Sequence, residues 1–177
     1  MQRLACLLIG ITAACGGGDT DSGPASLSGI TPPGMSVGAR TFTGPDGAGN
    51  MVLGWKLEFF EQAPGAACLS ADTKVVAAIG IFTNQPDDGT KDQALLATGD
   101  IAIVAQSPPN VNGNAAATMT ATGVVMTTGL VTITEFHLSD PMHADRIKGT
   151  VNAGGKTESS GSPVALSGEF DAPYCPE

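Results

Sequence analysis

Aromatic side chains and positive charges are both scarce in this chain of 177 residues. It contains one tryptophan, one tyrosine and six phenylalanines, and its 17 aspartates and glutamates outnumber its eight lysines and arginines. The net charge of −9 argues against nucleic acid as a partner, because the phosphates would repel the protein. It also disfavours docking on anionic lipid through a basic patch.

The shortage of aromatic residues bears on carbohydrate binding too, since glycan sites use exposed rings as platforms. Trp55 falls on the inward positions of its segment, which leaves Phe60 and Tyr174 as the candidates for exposed rings. The sequence therefore does not indicate glycan binding. A glycan or an envelope protein stays open as the unidentified partner.

The chain also lacks an apolar run of the roughly 20 residues that a membrane-spanning helix needs. Its most apolar stretch is short and lies at the beginning, where Arg3 precedes residues 4–14. A basic residue followed by a short apolar region is typical of an export signal. We therefore expect residues 1–14 to be a signal peptide.

The signal ends in Thr12-Ala13-Ala14-Cys15, which resembles the lipobox of bacterial lipoproteins, with Thr12 where leucine is usual. The resemblance implies that a diacylglyceryl group is attached to the Cys15 thiol and that the chain is cleaved before Cys15. Several acyl chains on one residue give stable membrane anchoring without a helix. The alternative is ordinary signal cleavage, which leaves Cys15 as a structural thiol.

The segment after the anchor is rich in glycine, serine and aspartate, and it predicts a lipidated flexible tether over residues 15–29. A single domain over residues 30–177 follows. Gly16 stands where aspartate is linked to inner-membrane retention in some bacteria. These features predict a protein anchored in the bacterial cell envelope, in the outer membrane.

Cysteine is rare as well, with four residues and no CxxC pair. Cys6 leaves with the signal and Cys15 takes the lipid, so Cys68 and Cys175 remain. In an oxidising compartment we expect these two to form a disulfide. A metal or redox role for them is the weaker interpretation.

Alternation of apolar and polar residues dominates the rest of the chain, and helical periodicity is hard to find. Residues 53–61 alternate in the way that a half-buried strand requires, and similar runs recur between clusters of glycine and proline. The pattern predicts an antiparallel β-sandwich of about seven or eight strands. A β-barrel of calycin type with a deep apolar cavity is the alternative.

One segment breaks the alternation. Val131 and Ile133 share one parity, whereas Phe136 and Leu138 share the other. A bulge near residues 134–135 would return both pairs to the core and leave His137 pointing outward.

Residues 129–135, 145–151 and 164–175 resemble the closing strands of uncharacterised envelope lipoproteins from myxobacteria and related bacteria. The resemblance covers about the last fifty residues together with the signal. It implies an all-β domain with a terminal cysteine, and it assigns no catalytic residue. We accordingly expect a structural or binding protein rather than an enzyme.

The one nucleophile motif is Gly34-Met35-Ser36-Val37-Gly38, which has the G-x-S-x-G spacing of an esterase elbow. That elbow requires a strand, a sharp turn and a helix. Here a β-like segment follows, so the sequence favours a loop that enters the first strand.

Both histidines lie within seven residues of each other, beside several carboxylates. Imidazole and carboxylate groups at a strand end could hold a divalent metal such as zinc. The alternative prediction is therefore an extracytoplasmic metal-binding or metal-dependent module, with these candidate ligands: His137, Asp140, His143 and Asp145.

Overall fold

The structure of the protein is a computed structural model. This structure describes residues 26–28, 35–45, 48–61, 68, 74–90, 93–105, 115–119, 123–141, 143–157 and 160–176. The strands in these ranges are β1 (Ser26–Ser28), β2 (Met35–Pro45), β3 (Met51–Glu61), β4 (Val75–Pro86), β5 (Gly99–Ala102), β6 (Ala115–Met119), β7 (Val124–Asp140), β8 (His143–Lys156) and β9 (Pro163–Pro173).

The strands form one antiparallel sheet in the order β1-β9-β8-β7-β6-β4-β3-β2, and β5 pairs with β7 beside this path. The expected all-β antiparallel class is confirmed. Two of the nine strands are very short, with three residues in β1 and four in β5. Among the residues that the structure describes, there is no helix with the length and hydrophobicity needed to span a bilayer.

The sheet curls around one hydrophobic core. On β3 the inward positions Leu53, Trp55, Leu57 and Phe59 are all buried, as the alternation predicts. The other face of β3 is buried as well at Val52, Glu58 and Phe60, so the strand is not half-buried as expected. Phe59 meets Phe170 of β9 edge to face, with ring centroids 6.4 Å apart, so β3 and β9 face each other across the core. Burial of such rings and aliphatic groups is the main stabilising contribution to the fold.

The two ends of the curled sheet meet where the chain passes out of β9. Tyr174 forms a parallel bridge with Ala39 of β2, and the Cys175 N–H donates to the Ala39 carbonyl oxygen at 2.8 Å. We name residues 174–175 the closing segment. Tyr174 also packs edge to face against Trp55, with ring centroids 5.8 Å apart. The closing segment therefore joins β2 to the far end of the sheet.

The expected disulfide between Cys68 and Cys175 is present, with 5.6 Å between the Cα atoms. Cys175 is buried, and its sulfur lies so close to Gly38 that a Cβ there would be 3.0 Å from it. Phe60 lies beside the same position and is 0 % exposed. The prediction that Phe60 is an exposed ring is therefore wrong: its ring and the Cys175 sulfur lie together against Gly38.

The predicted tether and the structure differ at residues 26–28. Ser26–Ser28 form β1, which pairs with β9 from Ser26 opposite Ser167 to Ser28 opposite Ala165. The ordered domain therefore includes residues before position 30.

Candidate functional site

The histidine-rich segment lies at the end of the β7–β8 hairpin, and a bulge sets which side chains face outward. The β7–β8 register shifts between Ile133 and Glu135, so Thr134 is the extra residue. Phe136 accordingly returns to the core, where its ring centroid is 5.7 Å from that of Trp55, and His137 is exposed. The predicted bulge is confirmed. Leu138 is 37 % exposed, so its predicted return to the core is wrong.

Gly149 lies opposite this bulge, in register with Ile133. A Cβ at Gly149 would overlap the Thr132 carbonyl oxygen and come within 2.9 Å of the Phe170 ring. This crowding explains why position 149 has no side chain, since a bulge brings two residues of one strand opposite one residue of its partner.

We expect Gly149→Ala to destabilise the fold by about 1–3 kcal/mol, because backbone must move to admit the methyl group. Gly154→Ala is the matched control on the same strand, where the nearest atom to a Cβ is Thr128 Oγ1 at 3.5 Å. Urea unfolding of both variants measures the difference. Equal free energies of unfolding for the two variants would contradict this interpretation of the bulge.

A second irregularity places Asp145 beside His137. His137 pairs with Arg146, whereas Leu138 pairs with Ala144, so Asp145 is an extra residue on β8. Asp145 and Arg146 are consequently exposed together, between the buried Ala144 and Ile147. His137 Nδ1 is 2.6 Å from Asp145 Oδ1.

An open surface cleft of about 440 Å³ is lined by Glu135, His137, Asp145 and Arg146. Its charged groups are paired: Lys148 Nζ lies 3.3 Å from Glu135, and Arg146 Nε lies 3.0 Å from Asp171. Exposed pairs of this kind contribute about 0–1 kcal/mol each. The cleft is thus a surface of alternating charge. Two lining residues, Glu135 and Arg146, were not among the predicted ligands, and the place of Arg146 depends on the Asp145 bulge.

The His137–Asp145 pair has a defined chemical capacity. When the imidazole is neutral, its Nδ1–H donates to the carboxylate, and Nε2 is left to accept a proton or bind a ligand. The pair is open to solvent, since 56 % of the His137 side chain and 48 % of the Asp145 side chain are exposed.

The other histidine has a separate partner. His143 Nδ1 is 2.7 Å from Asp140 Oδ2, and the His143 backbone N–H donates to Asp140 Oδ1 at 3.0 Å. The Ser139 hydroxyl donates to the His143 carbonyl oxygen at 3.1 Å. These contacts close the turn between β7 and β8, so Asp140 and His143 stabilise that turn.

The four predicted metal ligands therefore form two pairs, His137 with Asp145 and His143 with Asp140. Within the described ranges, no three His, Cys, Asp or Glu side chains form a group that could hold a metal ion. The metal site stays a prediction, and each pair offers one imidazole nitrogen to a ligand.

The remaining predicted residues have different positions. Ser36 lies within β2, paired with Phe60, and not on the sharp turn that an esterase elbow requires. Gly38 lies against the Cys175 sulfur, which gives that glycine a packing role. Cys15 and the segment before it lie outside the described residues.

Comparison of the chain with protein-family models, with curated proteins and with solved structures finds no match.

Proposed function

We propose that this protein is a lipoprotein of the bacterial cell envelope that displays its β-sheet domain on a lipid anchor at Cys15. The observation that carries the proposal is the order of the first residues: Arg3, a short apolar stretch, small residues and then Cys15. A diacylated cysteine would hold the protein at the outer membrane without a spanning helix.

The pairing of Cys68 with Cys175 supports export, because disulfides persist in oxidising compartments and are rare in the cytosol. The acidic composition supports a soluble domain at the membrane surface, since it resists adsorption to anionic lipid. The role at that surface is structural or one of binding. An envelope protein or a glycan is the partner class that fits this location.

Intact mass spectrometry of the membrane-extracted protein tests the anchor. We expect a chain that begins at Cys15 and carries added acyl mass. Cys15→Ser should lose the added mass and move the protein to the soluble fraction. Cys6→Ser is the matched control, because this cysteine lies within the predicted signal peptide and its replacement should leave anchoring unchanged. An unmodified Cys15 in the mature wild-type chain would refute the proposal.

The alternative function, divalent metal binding at His137 and His143, is tested independently of the anchor. Zinc titration of the full chain should show binding that His137→Ala and His143→Ala both abolish. Equal zinc binding in the wild-type protein and in both variants would count against these ligands. His137 is the more informative position, because Asp145 holds its Nδ1 and orients Nε2 outward.

A further inference from the structure

The backbone beside the Asp145 bulge is held by a buried glutamine from another part of the chain. Gln93 is 4 % exposed, and its Oε1 accepts a hydrogen bond from the Ala144 N–H at 2.6 Å. It lies between β4 and β5, 51 residues before Ala144. Because a bulge interrupts the hydrogen-bond ladder between two strands, its backbone needs partners from elsewhere. Gln93 supplies such a partner from outside the β7–β8 hairpin.

The bulged residue itself is bonded through its main chain to the closing segment. The Asp145 carbonyl oxygen accepts a hydrogen bond from the Tyr174 N–H at 2.8 Å. Ala144 is buried, so its N–H would lose free energy if Gln93 did not accept its hydrogen bond. The conformation of the bulge therefore depends on two segments that are distant from it in sequence.

The next residue, Ala94, connects the same segment to the histidine side of the pair. Its carbonyl oxygen accepts a hydrogen bond from the Trp55 indole N–H. The Trp55 ring packs edge to face against Phe136, the residue before His137. Residues 93–94, which we name the brace, therefore support β8 beside the bulge and, through Trp55, β7 beside the histidine.

The bulge decides which side chain His137 meets. Because Asp145 is an extra residue on β8, it is exposed together with Arg146, and its Oδ1 lies 2.6 Å from His137 Nδ1. In a regular strand, neighbouring side chains point to opposite faces. Without the bulge, Asp145 would point away from the face of Arg146 and would lose its contact with His137.

We infer that Gln93 is a positioning residue for the His137–Asp145 pair, because it holds the bulge that brings the carboxylate to the imidazole. The inference rests on the proposed alternative function, in which His137 binds a divalent metal ion such as zinc. A carboxylate on Nδ1 fixes the tautomer and the ring orientation of a metal-binding histidine and leaves Nε2 for the metal. Gln93 thereby sets the affinity of the site for the metal without contacting the metal.

The tautomer of His137 tests the inference without any metal. We expect long-range ¹H–¹⁵N NMR spectra of the full chain to show the proton on His137 Nδ1 at a pH of about 8, at which imidazoles are ordinarily neutral. Gln93→Met keeps the length of the side chain but removes the acceptor. This variant should shift His137 to the mixture of tautomers that an unpaired histidine has.

Gln85 provides the matched control, because it is a second glutamine that holds the same segment. Its side-chain amide bonds to the N–H and the carbonyl oxygen of Leu95, next to the brace, rather than to Ala144. Gln85→Met should therefore leave the His137 tautomer unchanged. Gln93→Glu keeps an acceptor oxygen within reach of Ala144 and should retain the wild-type tautomer. If Gln93→Met fails to fold, Gln93→Asn is the second variant, because its shorter side chain withdraws the acceptor.

Zinc titration separates this inference from the proposed function. We expect Gln93→Met to weaken zinc binding about tenfold or more, the usual effect of losing a group that orients a metal ligand, and Gln85→Met to stay within about twofold of wild type. If the wild-type protein binds no zinc but the tautomer depends on Gln93, the metal function fails and the positioning role stands. An unchanged His137 tautomer in Gln93→Met or Gln93→Asn overturns the inference. An equal change in Gln85→Met, or zinc affinity that is independent of Gln93, also overturns it.

Discussion

Removing the disulfide with Cys68→Ser should lower the free energy of unfolding by about 4–5 kcal/mol, the largest single effect that we expect in this fold. The bridge joins residues 107 apart, and in the chain-entropy model a loop of that length restricts the unfolded chain strongly. It also holds the closing segment on β2. Thermal unfolding followed by circular dichroism should show a melting temperature lower by roughly 10 °C or more.

Cys68→Ser is the cleaner variant, because Cys68 is half-buried whereas Cys175 is 1 % exposed and a serine there would bury a hydroxyl group. The wild-type protein treated with a dithiol reductant should match Cys68→Ser. The double variant should be little worse than Cys175→Ser alone, since both substitutions remove the same bridge. A melting temperature within 2 °C of wild type for Cys68→Ser would contradict the expectation.

Trp55→Ala should destabilise the domain by about 3–5 kcal/mol, because it leaves a large cavity at the centre of the core. Trp55 is 0 % exposed, and its ring contacts Phe136 and Tyr174 edge to face. Its indole Nε1–H donates to the Ala94 carbonyl oxygen at 2.6 Å. Urea unfolding followed by far-ultraviolet circular dichroism measures the loss, since the variant has no tryptophan fluorescence.

The matched control is Trp55→Phe, which keeps an aromatic ring but removes the indole donor. We expect a smaller loss of about 1–3 kcal/mol, because the buried Ala94 carbonyl oxygen is left without its partner. The difference between the two variants separates cavity formation from hydrogen bonding. Equal losses for Trp55→Ala and Trp55→Phe would show that the hydrogen bond, not packing, is the main contribution.

Much of the fold was predictable because apolar and polar residues alternate along an antiparallel strand with one buried face. The alternation shows which of its side chains face the core. The parity of Leu53, Trp55 and Leu57 identifies the core side of β3, and the change of parity after Ile133 locates the bulge. The order of the strands was not predictable, since alternation identifies faces but not neighbours. Phe60 was misjudged because the Cys175 sulfur, which lies with it against Gly38, belongs to a segment distant in sequence.

The candidate site was less predictable than the fold. Proximity in sequence suggested that His137 and His143 converge, but the extra residue Asp145 and the tight turn give each imidazole its own carboxylate. Which carboxylate each histidine contacts depends on bulges of a single residue, because such a bulge moves the following side chains from one face of the strand to the other. The pairing of Cys68 with Cys175 was predictable because only these two cysteines remain if Cys6 leaves with a signal peptide and Cys15 takes a lipid.

The meeting of Ala39 with Tyr174 has a consequence for the order in which the domain folds. Proteins are synthesised from the amino end, so β2 emerges before its closing partner, which follows β9. Until then, the Ala39 carbonyl oxygen on that edge of β2 lacks the hydrogen bond that the Cys175 N–H donates in the folded domain. Pairings between residues so distant in sequence slow folding to the range of milliseconds to seconds. Completion of the sheet must therefore wait until residues 174–175 have been synthesised and can reach Ala39.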